Sequence, residues 1–133
     1  MTKEELIQEA FKAMKNSYSP YSHFPVGAAV LTRDGEVTYG ANIENASYPA
    51  GICGERAAIV AAYGKGYRKE DIEALAIVSE GFRIASPCGI CRQMLYELLE
   101  KDTPIYLANR REVRTVTTTE ILPDAFGPED LSV

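Results

Sequence analysis

The chain has 133 residues, of which 46% are hydrophobic and 25% are charged, a composition typical of one ordinary globular domain. It has no run of about 20 apolar residues to cross a membrane, and Met1–Glu5 lacks the apolar region of a signal peptide. We therefore expect a cytoplasmic protein with no membrane partner. The net charge is −5 and the basic residues form no cluster, which argues against a nucleic acid as partner.

Eight segments have the pattern of regular secondary structure. Thr2 and Glu5 have the spacing of a capping box, and apolar residues then recur at helical intervals. Arg33–Glu36 has the composition of a hairpin turn. In chain order, the sequence predicts a helix over 3–15, strands over 26–31 and 37–41, a helix over 53–63, a strand over 74–78, a helix from about 88 to 100, and strands over 104–107 and 113–118. A hairpin followed by strands alternating with helices predicts a single α/β domain over 1–133, a three-layer α/β/α sandwich with a mixed sheet.

Three cysteines and one glutamate form the strongest chemical signal in the chain. Cys53 is followed by Gly54 and Glu55, and Cys88 and Cys91 belong to a Pro-Cys-Gly-Ile-Cys segment. A catalytic zinc ion has three protein ligands and leaves its fourth position to water, and the cysteines supply that number. Because positions i and i+2 point to opposite sides of a helix, Cys53 and Glu55 serve one metal only if it lies beyond the helix end. The pattern predicts a zinc ion at two helix N-termini.

Other interpretations account for parts of this pattern. Cys88 and Cys91 alone have the spacing of a redox dithiol, and Cys53 alone is typical of a small buried apolar residue. His23, the only histidine, could complete a structural zinc site with four ligands, although its proline-flanked context favours a loop. Zinc deaminases of nucleobases combine three such ligands, a glutamate that is not a ligand, and a Pro-Cys-x-x-Cys element. The joint pattern, with Glu55 as the acid–base residue, favours this last class.

Five motifs extend the match over nearly the whole length. They are SPYSHFPVGA (19–28), NIENASY (42–48), CGER (53–56), SPCGICRQ (86–93) and LPDAFGPEDL (122–131). In this order they resemble the small homotetrameric cytidine deaminases of pyrimidine nucleoside salvage. The resemblance implies hydrolytic deamination of cytidine and 2′-deoxycytidine to uridine and 2′-deoxyuridine, with one zinc ion per subunit. It also implies a homotetramer whose pockets are shared between subunits.

The resemblance implies roles for residues that bind the substrate. Phe24 matches a ring that stacks on the pyrimidine, and Asn42 and Glu44 match a pair that holds a hydroxyl of the sugar. An amide and a carboxylate are suited to that task because together they donate to and accept from one hydroxyl. Tyr48 and Phe126 match residues that reach the pocket of a neighbouring subunit.

The residues beside the cysteines are expected to tune the site. Relatives usually have alanine at position 54; Gly54 retains the backbone N–H that binds the base carbonyl, at a cost in helix propensity of up to about 1 kcal/mol. Three thiolates on Zn²⁺ leave a net charge of −1, which calls for a compensating cation nearby. Arg56 and Arg92 are the candidates, and we expect both to donate hydrogen bonds to cysteine sulfur.

Three rival functions remain open at this stage. A related deaminase could act on a nucleic acid or on a cytosine-bearing antibiotic, although Asn42, Glu44 and Phe126 favour a nucleoside. A zinc ion could stabilise the fold without catalysis, in which case Glu55 would be dispensable. A dithiol oxidoreductase would depend on Cys88 but would need no zinc.

Overall fold

The computed structural model describes residues 1–131, so the last two residues of the predicted domain, Ser132 and Val133, lie outside the described part. In chain order the elements are α1 (Lys3–Met14), β1 (Val26–Thr32), β2 (Val37–Ala41), α2 (Gly54–Gly64), β3 (Ile72–Ser79), α3 (Gly89–Leu98), β4 (Ile105–Ala108), β5 (Val113–Val116) and α4 (Thr118–Ile121). All eight predicted elements are present, with ends within two residues of those expected. Helix α4 was not predicted, although Thr117 and Glu120 form a capping box at its start.

The strands form one mixed sheet in the order β2-β1-β3-β4-β5. Strands β3 and β4 are parallel, and the other neighbouring pairs are antiparallel. Helix α1 packs on one face of the sheet, and helices α2, α3 and α4 contribute to the core on the other face. The predicted three-layer α/β/α sandwich with a mixed sheet is therefore confirmed. Within the described residues, no helix is both long and apolar enough to cross a lipid bilayer.

Strands β1 and β3 are buried almost throughout because helices cover both of their faces. Alternate residues along β3 face opposite layers: Leu75 and Ile77 pack in the core shared with α2 and α3, and Ala76 packs in the core shared with α1. The side chains of Ile59 and Leu95 fill the first of these cores without measurable exposure. The sheet is thus held rigidly between its two helical layers.

One glycine brings α2 close enough to the sheet to define the position of its N-terminus. A Cβ atom on Gly40 would lie 2.3 Å from the backbone nitrogen of Ala58 and 2.5 Å from the carbonyl oxygen of Gly54. Helix α2 therefore rests directly on the backbone of β2. This contact fixes the distance between β2 and the start of α2, where Cys53 is the N-cap and Glu55 lies in the first turn.

The site lies at one edge of the sheet, meaning the edge formed by the ends of its strands and not an outer strand, because of the directions in which the strands run. Strand β1 begins at the edge where β2 and β3 end, since it is antiparallel to both. The segments before β1 and after β2 and β3 therefore meet there. Cys53 is the N-cap of α2 and Cys88 is the N-cap of α3, so both helices begin at this same edge. Four of the five motifs found in the sequence lie at this edge.

Candidate metal centre and adjoining cleft

The three cysteines converge at the N-termini of α2 and α3. The Sγ atoms of Cys53 and Cys88 are 3.8 Å apart, those of Cys88 and Cys91 are 3.4 Å apart, and all three lie within 4.8 Å of one another. Three thiolates bound to a tetrahedral zinc ion at about 2.3 Å would be separated by about 3.8 Å. Cys91 is buried, Cys53 is half-buried and Cys88 is exposed, so the cluster opens to one side. The number, type and spacing of the donors fit a zinc ion.

The surroundings of the cluster favour thiolates. Two helix N-termini direct their partial positive charge toward the sulfur atoms. A hydrogen bond from the Cys91 thiol and a weaker one from Arg56 hold the pKa of Cys53 well below its ordinary value. The same interaction with Cys53 raises the pKa of Cys91. The cluster therefore carries negative charge at neutral pH.

Glu55 is the one buried charged side chain among residues 1–131, with 5% of its surface exposed. Burial raises the pKa of its carboxyl group to about 7, and the negative charge of Cys53 adds to this effect. Glu55 lies in the first turn of α2, two residues after Cys53 at its N-cap, so the carboxyl group belongs to the same helix end as the sulfur cluster. No ion pair within the described residues compensates this burial. A buried acid without a partner is costly, and such groups concentrate at functional sites.

Arg56 lies one helical turn after Cys53 and faces the same cluster. Its Nη2 atom is 3.9 Å from the Sγ atom of Cys53, within the range of a hydrogen bond to sulfur. Its Nε atom is buried and has no hydrogen-bond partner among residues 1–131. The expected donor to sulfur is thus present at Arg56.

Arg92 does not donate to sulfur, contrary to our expectation. Its Nε atom donates to the carbonyl oxygen of Pro87 at 2.7 Å and its Nη2 atom to the hydroxyl of Ser86 at 2.6 Å. Its Nη1 atom donates to the carbonyl oxygen of Ile121 at 2.8 Å. Successive helical side chains point about 100° apart, so Arg92 leaves the direction of the buried Cys91. Arg92 instead fastens the segment that leads into Cys88 to the end of α4.

A cleft of about 530 Å³ opens onto the cysteine cluster. Residues expected at the metal centre and residues expected to bind the sugar share its wall: Asn42, Glu44, Tyr48, Cys53, Arg56 and Cys88. Phe24 does not line this cleft; it lines a separate, larger depression with Gly81 and Ser86. A Cβ atom on Gly81 would lie 3.3 Å from the ring of Phe24, so this glycine makes room for the ring.

Asn42 is engaged almost completely by its own chain. Its Oδ1 atom accepts hydrogen bonds from the hydroxyl of Ser17 at 2.5 Å and from the N–H of Val26 at 2.9 Å. Its Nδ2 atom donates to the carbonyl oxygen of Phe24 at 2.9 Å. Asn42 therefore fixes the backbone on both sides of Pro25, at the entry to β1.

Glu44 is engaged in the same way by the loop before Phe24. Its Oε1 atom accepts the N–H groups of Tyr21 and Ser22, each at 3.0 Å. Its Oε2 atom accepts the hydroxyl of Ser22. These hydrogen bonds, that of the Ser22 hydroxyl above all, hold the pKa of Glu44 below its ordinary value, so it is a carboxylate at neutral pH. Sequence reasoning assigned no role to Ser17 or Ser22, although Ser22 lies within the 19–28 motif.

Tyr48 and Phe126 are strongly exposed for aromatic residues, at 77% and 59%. The ring of Tyr48 meets that of Tyr21 edge to face, with centroids 6.3 Å apart. Phe126 lies outside the cleft of its own chain, where Gln93 binds its carbonyl oxygen at 2.8 Å. Their expected contact with a neighbouring subunit stays a prediction.

Gly54 makes a close contact with β1, so it affects packing as well as helix propensity. A Cβ atom on it would lie 3.1 Å from the carbonyl oxygen and 3.2 Å from Cγ1 of Val26. The start of β1 would have to shift by a few tenths of an ångström to accept alanine. Glycine in place of the usual alanine at position 54 therefore allows a close contact between α2 and β1.

Comparison with known proteins matches residues 1–107, which contain all three cysteines and Glu55, to the cytidine and deoxycytidylate deaminase zinc-binding region. The chain is 47% identical over 133 residues to a cytidine deaminase of Halalkalibacterium halodurans, with 99% of each chain covered. It is 44% identical to a cytidine deaminase of Sporosarcina psychrophila, covering 99% of this chain and 96% of that protein. The crystal structure of a cytidine deaminase from Burkholderia pseudomallei matches with a TM-score of 0.91 at 43% identity, covering 95% of this chain and all of that one.

Proposed function

The chain belongs to the family of zinc-binding cytidine and deoxycytidylate deaminases, and on that premise we propose that it hydrolyses cytidine and 2′-deoxycytidine to the corresponding uridines with release of ammonia. One observation carries the proposal. Glu55, a buried carboxyl group with no ion pair within residues 1–131, lies at the same helix end as a cluster of three cysteines, two of which line the cleft. A deaminase needs this combination of a metal site and an acid–base group.

Cys53, Cys88 and Cys91 hold the zinc ion in this proposal. When bound, zinc lowers the pKa of a coordinated water toward neutrality and so supplies a nucleophile. Cys53 and Cys88 are positioned as the N-caps of α2 and α3, and the three hydrogen bonds of Arg92 hold the segment before Cys88. Their exposed side, at Cys88, faces the cleft.

Glu55 moves the protons. It accepts a proton from the attacking water and delivers it to N3 of the cytosine ring as oxygen adds to C4. It then transfers the second proton to the amino group, which leaves as ammonia, and the C4 carbonyl of uridine forms. Burial suits Glu55 to both steps because a carboxyl group removed from water gives up and takes up protons near neutral pH.

The walls of the cleft bind the nucleoside. Asn42 and Glu44 bracket a hydroxyl of the sugar, and the N–H of Gly54 binds the carbonyl of the base. Phe24 stacks on the pyrimidine. Tyr48 and Phe126 of neighbouring subunits complete the pocket in a homotetramer, which fits their strong exposure in the single chain.

We further propose that Arg56 offsets the negative charge of the three thiolates. Its contact of 3.9 Å with Cys53 supports this role. We expect Arg56→Ala to lower zinc retention and turnover together, measured by metal analysis after gel filtration and by a cytidine assay. Full zinc content with full turnover in this variant would contradict the role. Arg33→Ala, at the β1–β2 turn on the opposite end of the sheet from the cysteines, is the control.

In the cell, we place this enzyme in the cytoplasm as a single deaminase domain over 1–133, acting on free nucleosides rather than on nucleic acid. The test compares cytidine with an oligonucleotide of equal cytosine content, following the loss of long-wavelength ultraviolet absorbance. Turnover of cytidine alone is the expected result. Comparable rates on both would favour an enzyme that edits nucleic acid, and no turnover by folded, zinc-loaded protein would favour a structural zinc site.

A further inference from the structure

Ser22 connects the residue expected to hold the sugar with the residue expected to hold the base. Its hydroxyl donates to Oε2 of Glu44 and accepts the N–H of Phe24 at 3.1 Å. Ser22 also lines the cleft that opens onto the cysteine cluster. We propose that Ser22 is a positioning residue that makes the Asn42–Glu44 pair selective for a single sugar hydroxyl and ties that selection to the placement of Phe24. This inference rests on the proposed function and deepens it.

Counting donors and acceptors gives the first argument. A carboxylate offers about four lone pairs to hydrogen bonds, and an amide oxygen offers two. At Glu44, three are taken: two at Oε1 by backbone N–H groups and one at Oε2 by Ser22. At Asn42, both lone pairs of Oδ1 and one N–H are taken. One acceptor on Glu44 and one N–H on Asn42 remain, which is the complement of one hydroxyl group.

Ser22 determines where the remaining acceptor lies. Because both backbone N–H groups bind Oε1, the free lone pair of Glu44 is on Oε2, next to the Ser22 hydroxyl. Without that hydroxyl, Oε2 would have two free lone pairs and would bind water or a misplaced hydroxyl equally well. Specificity of this kind depends on leaving no unpaired polar group when the correct ligand binds.

The backbone after Ser22 gives the second argument. His23 has a φ angle of +56°, in the left-handed region that costs a residue with a side chain roughly 1 kcal/mol. Its N–H closes a turn onto the carbonyl oxygen of Ser19 at 2.9 Å. Three hydrogen bonds to Glu44 hold this strained turn, and Ser22 makes two of them. A sugar that binds Glu44 therefore acts on the turn that orients Phe24.

The test is a comparison of Ser22→Ala with the wild type on two substrates. For cytidine, we expect KM to rise about tenfold with kcat changed less than twofold, since the hydroxyl contact is the same in the ground and transition states. For 2′,3′-dideoxycytidine, which has no ring hydroxyl to offer Glu44, we expect a smaller rise in KM of about twofold, since only the hydrogen bond between Ser22 and Phe24 is lost. Ser22→Thr, which retains the hydroxyl, restores most of the loss on cytidine.

The outcomes separate this inference from the function on which it rests. If the wild type turns over cytidine and Ser22→Ala does so with the same KM, Ser22 has no positioning role and the proposed function stands. An equal rise in KM on both substrates would mean general damage to the loop and would also overturn the inference. If the wild type fails to turn over cytidine, the proposed function fails, and the inference with it. Calorimetric binding of uridine, expected to weaken about tenfold in Ser22→Ala, gives the same comparison without turnover.

Discussion

Gly40→Ala is the substitution that most directly tests how the fold positions the metal centre. The added Cβ would lie 2.3 Å from the nitrogen of Ala58 and 2.5 Å from the carbonyl oxygen of Gly54, whereas ordinary contacts begin at 3.4 Å. Both neighbours are backbone atoms of α2, so no side-chain rotation relieves the clash. Helix α2 must move away from β2 by about 1 Å, which is the difference between an ordinary contact of 3.4 Å and the clash at 2.3 Å.

The cost of that movement follows from what α2 buries. Ala58, Ile59 and Ala62 have no exposed surface, and all belong to the core beneath the helix. Overpacking of a dense core costs typically 1–3 kcal/mol, and a clash between backbones belongs at about the upper end. We expect the free energy of unfolding to fall by about 3 kcal/mol, which corresponds to roughly 10 °C in Tm for a chain of this size. Zinc retention should fall as well, because Cys53 moves with α2 while Cys88 and Cys91 remain on α3.

Urea denaturation followed by circular dichroism, at fixed protein and zinc concentrations, measures the first effect, and metal analysis measures the second. Gly64→Ala is the matched control at the other end of α2, where an added Cβ meets nothing within 4 Å. It should leave zinc content unchanged and stabilise the protein by up to about 1 kcal/mol. A denaturation midpoint and zinc content in Gly40→Ala equal to those of the wild type would refute the argument that this contact positions α2.

Two further substitutions test the core and the loop that leads into the metal centre. Leu95→Ala removes a fully buried side chain from the core between the sheet and α3, and we expect a loss of about 2–5 kcal/mol by chemical denaturation; a loss below about 1 kcal/mol would contradict the packing described. Arg92→Ala removes three hydrogen bonds that hold the segment before Cys88, and we expect faster loss of zinc to a chelator. Arg92→Lys, which lacks the planar guanidinium group, should not restore zinc retention. An unchanged rate of zinc loss in Arg92→Ala would show that these hydrogen bonds are not needed to hold the segment.

The sequence predicted the elements with strong local patterns. The capping box at Thr2 and the hairpin turn at Arg33–Glu36 each act within a few residues, so their effects are visible in the chain itself. Helix α4 was missed because it is one turn long and has no repeated apolar pattern, although its capping box at Thr117 was a usable signal. The family and the zinc predicted from the motifs are confirmed by the comparisons.

The parts of the site that could not be predicted depend on where side chains point in the folded chain. Arg92 stands next to a cysteine in sequence, yet the turn of α3 directs it to Pro87 and Ile121. The hydrogen bond from Ser22 to Glu44 joins residues 22 positions apart through a loop whose shape no periodicity specifies. The same is true of Gly54, where propensity predicted a weak helix start and the structure has a tight contact with Val26. The individual roles of the substrate-binding residues stay predictions.

The central claim is that Glu55 carries protons beside a zinc ion held by three cysteines. The measurement that tests it most directly is cytidine turnover by the wild type and by Glu55→Gln, each with its zinc content determined on the same sample. We expect one zinc ion per chain in both proteins and a loss of turnover of at least about a hundredfold in the variant, since general acid–base catalysis contributes about 10²–10⁴-fold. Turnover within tenfold of the wild type in zinc-loaded Glu55→Gln would contradict it.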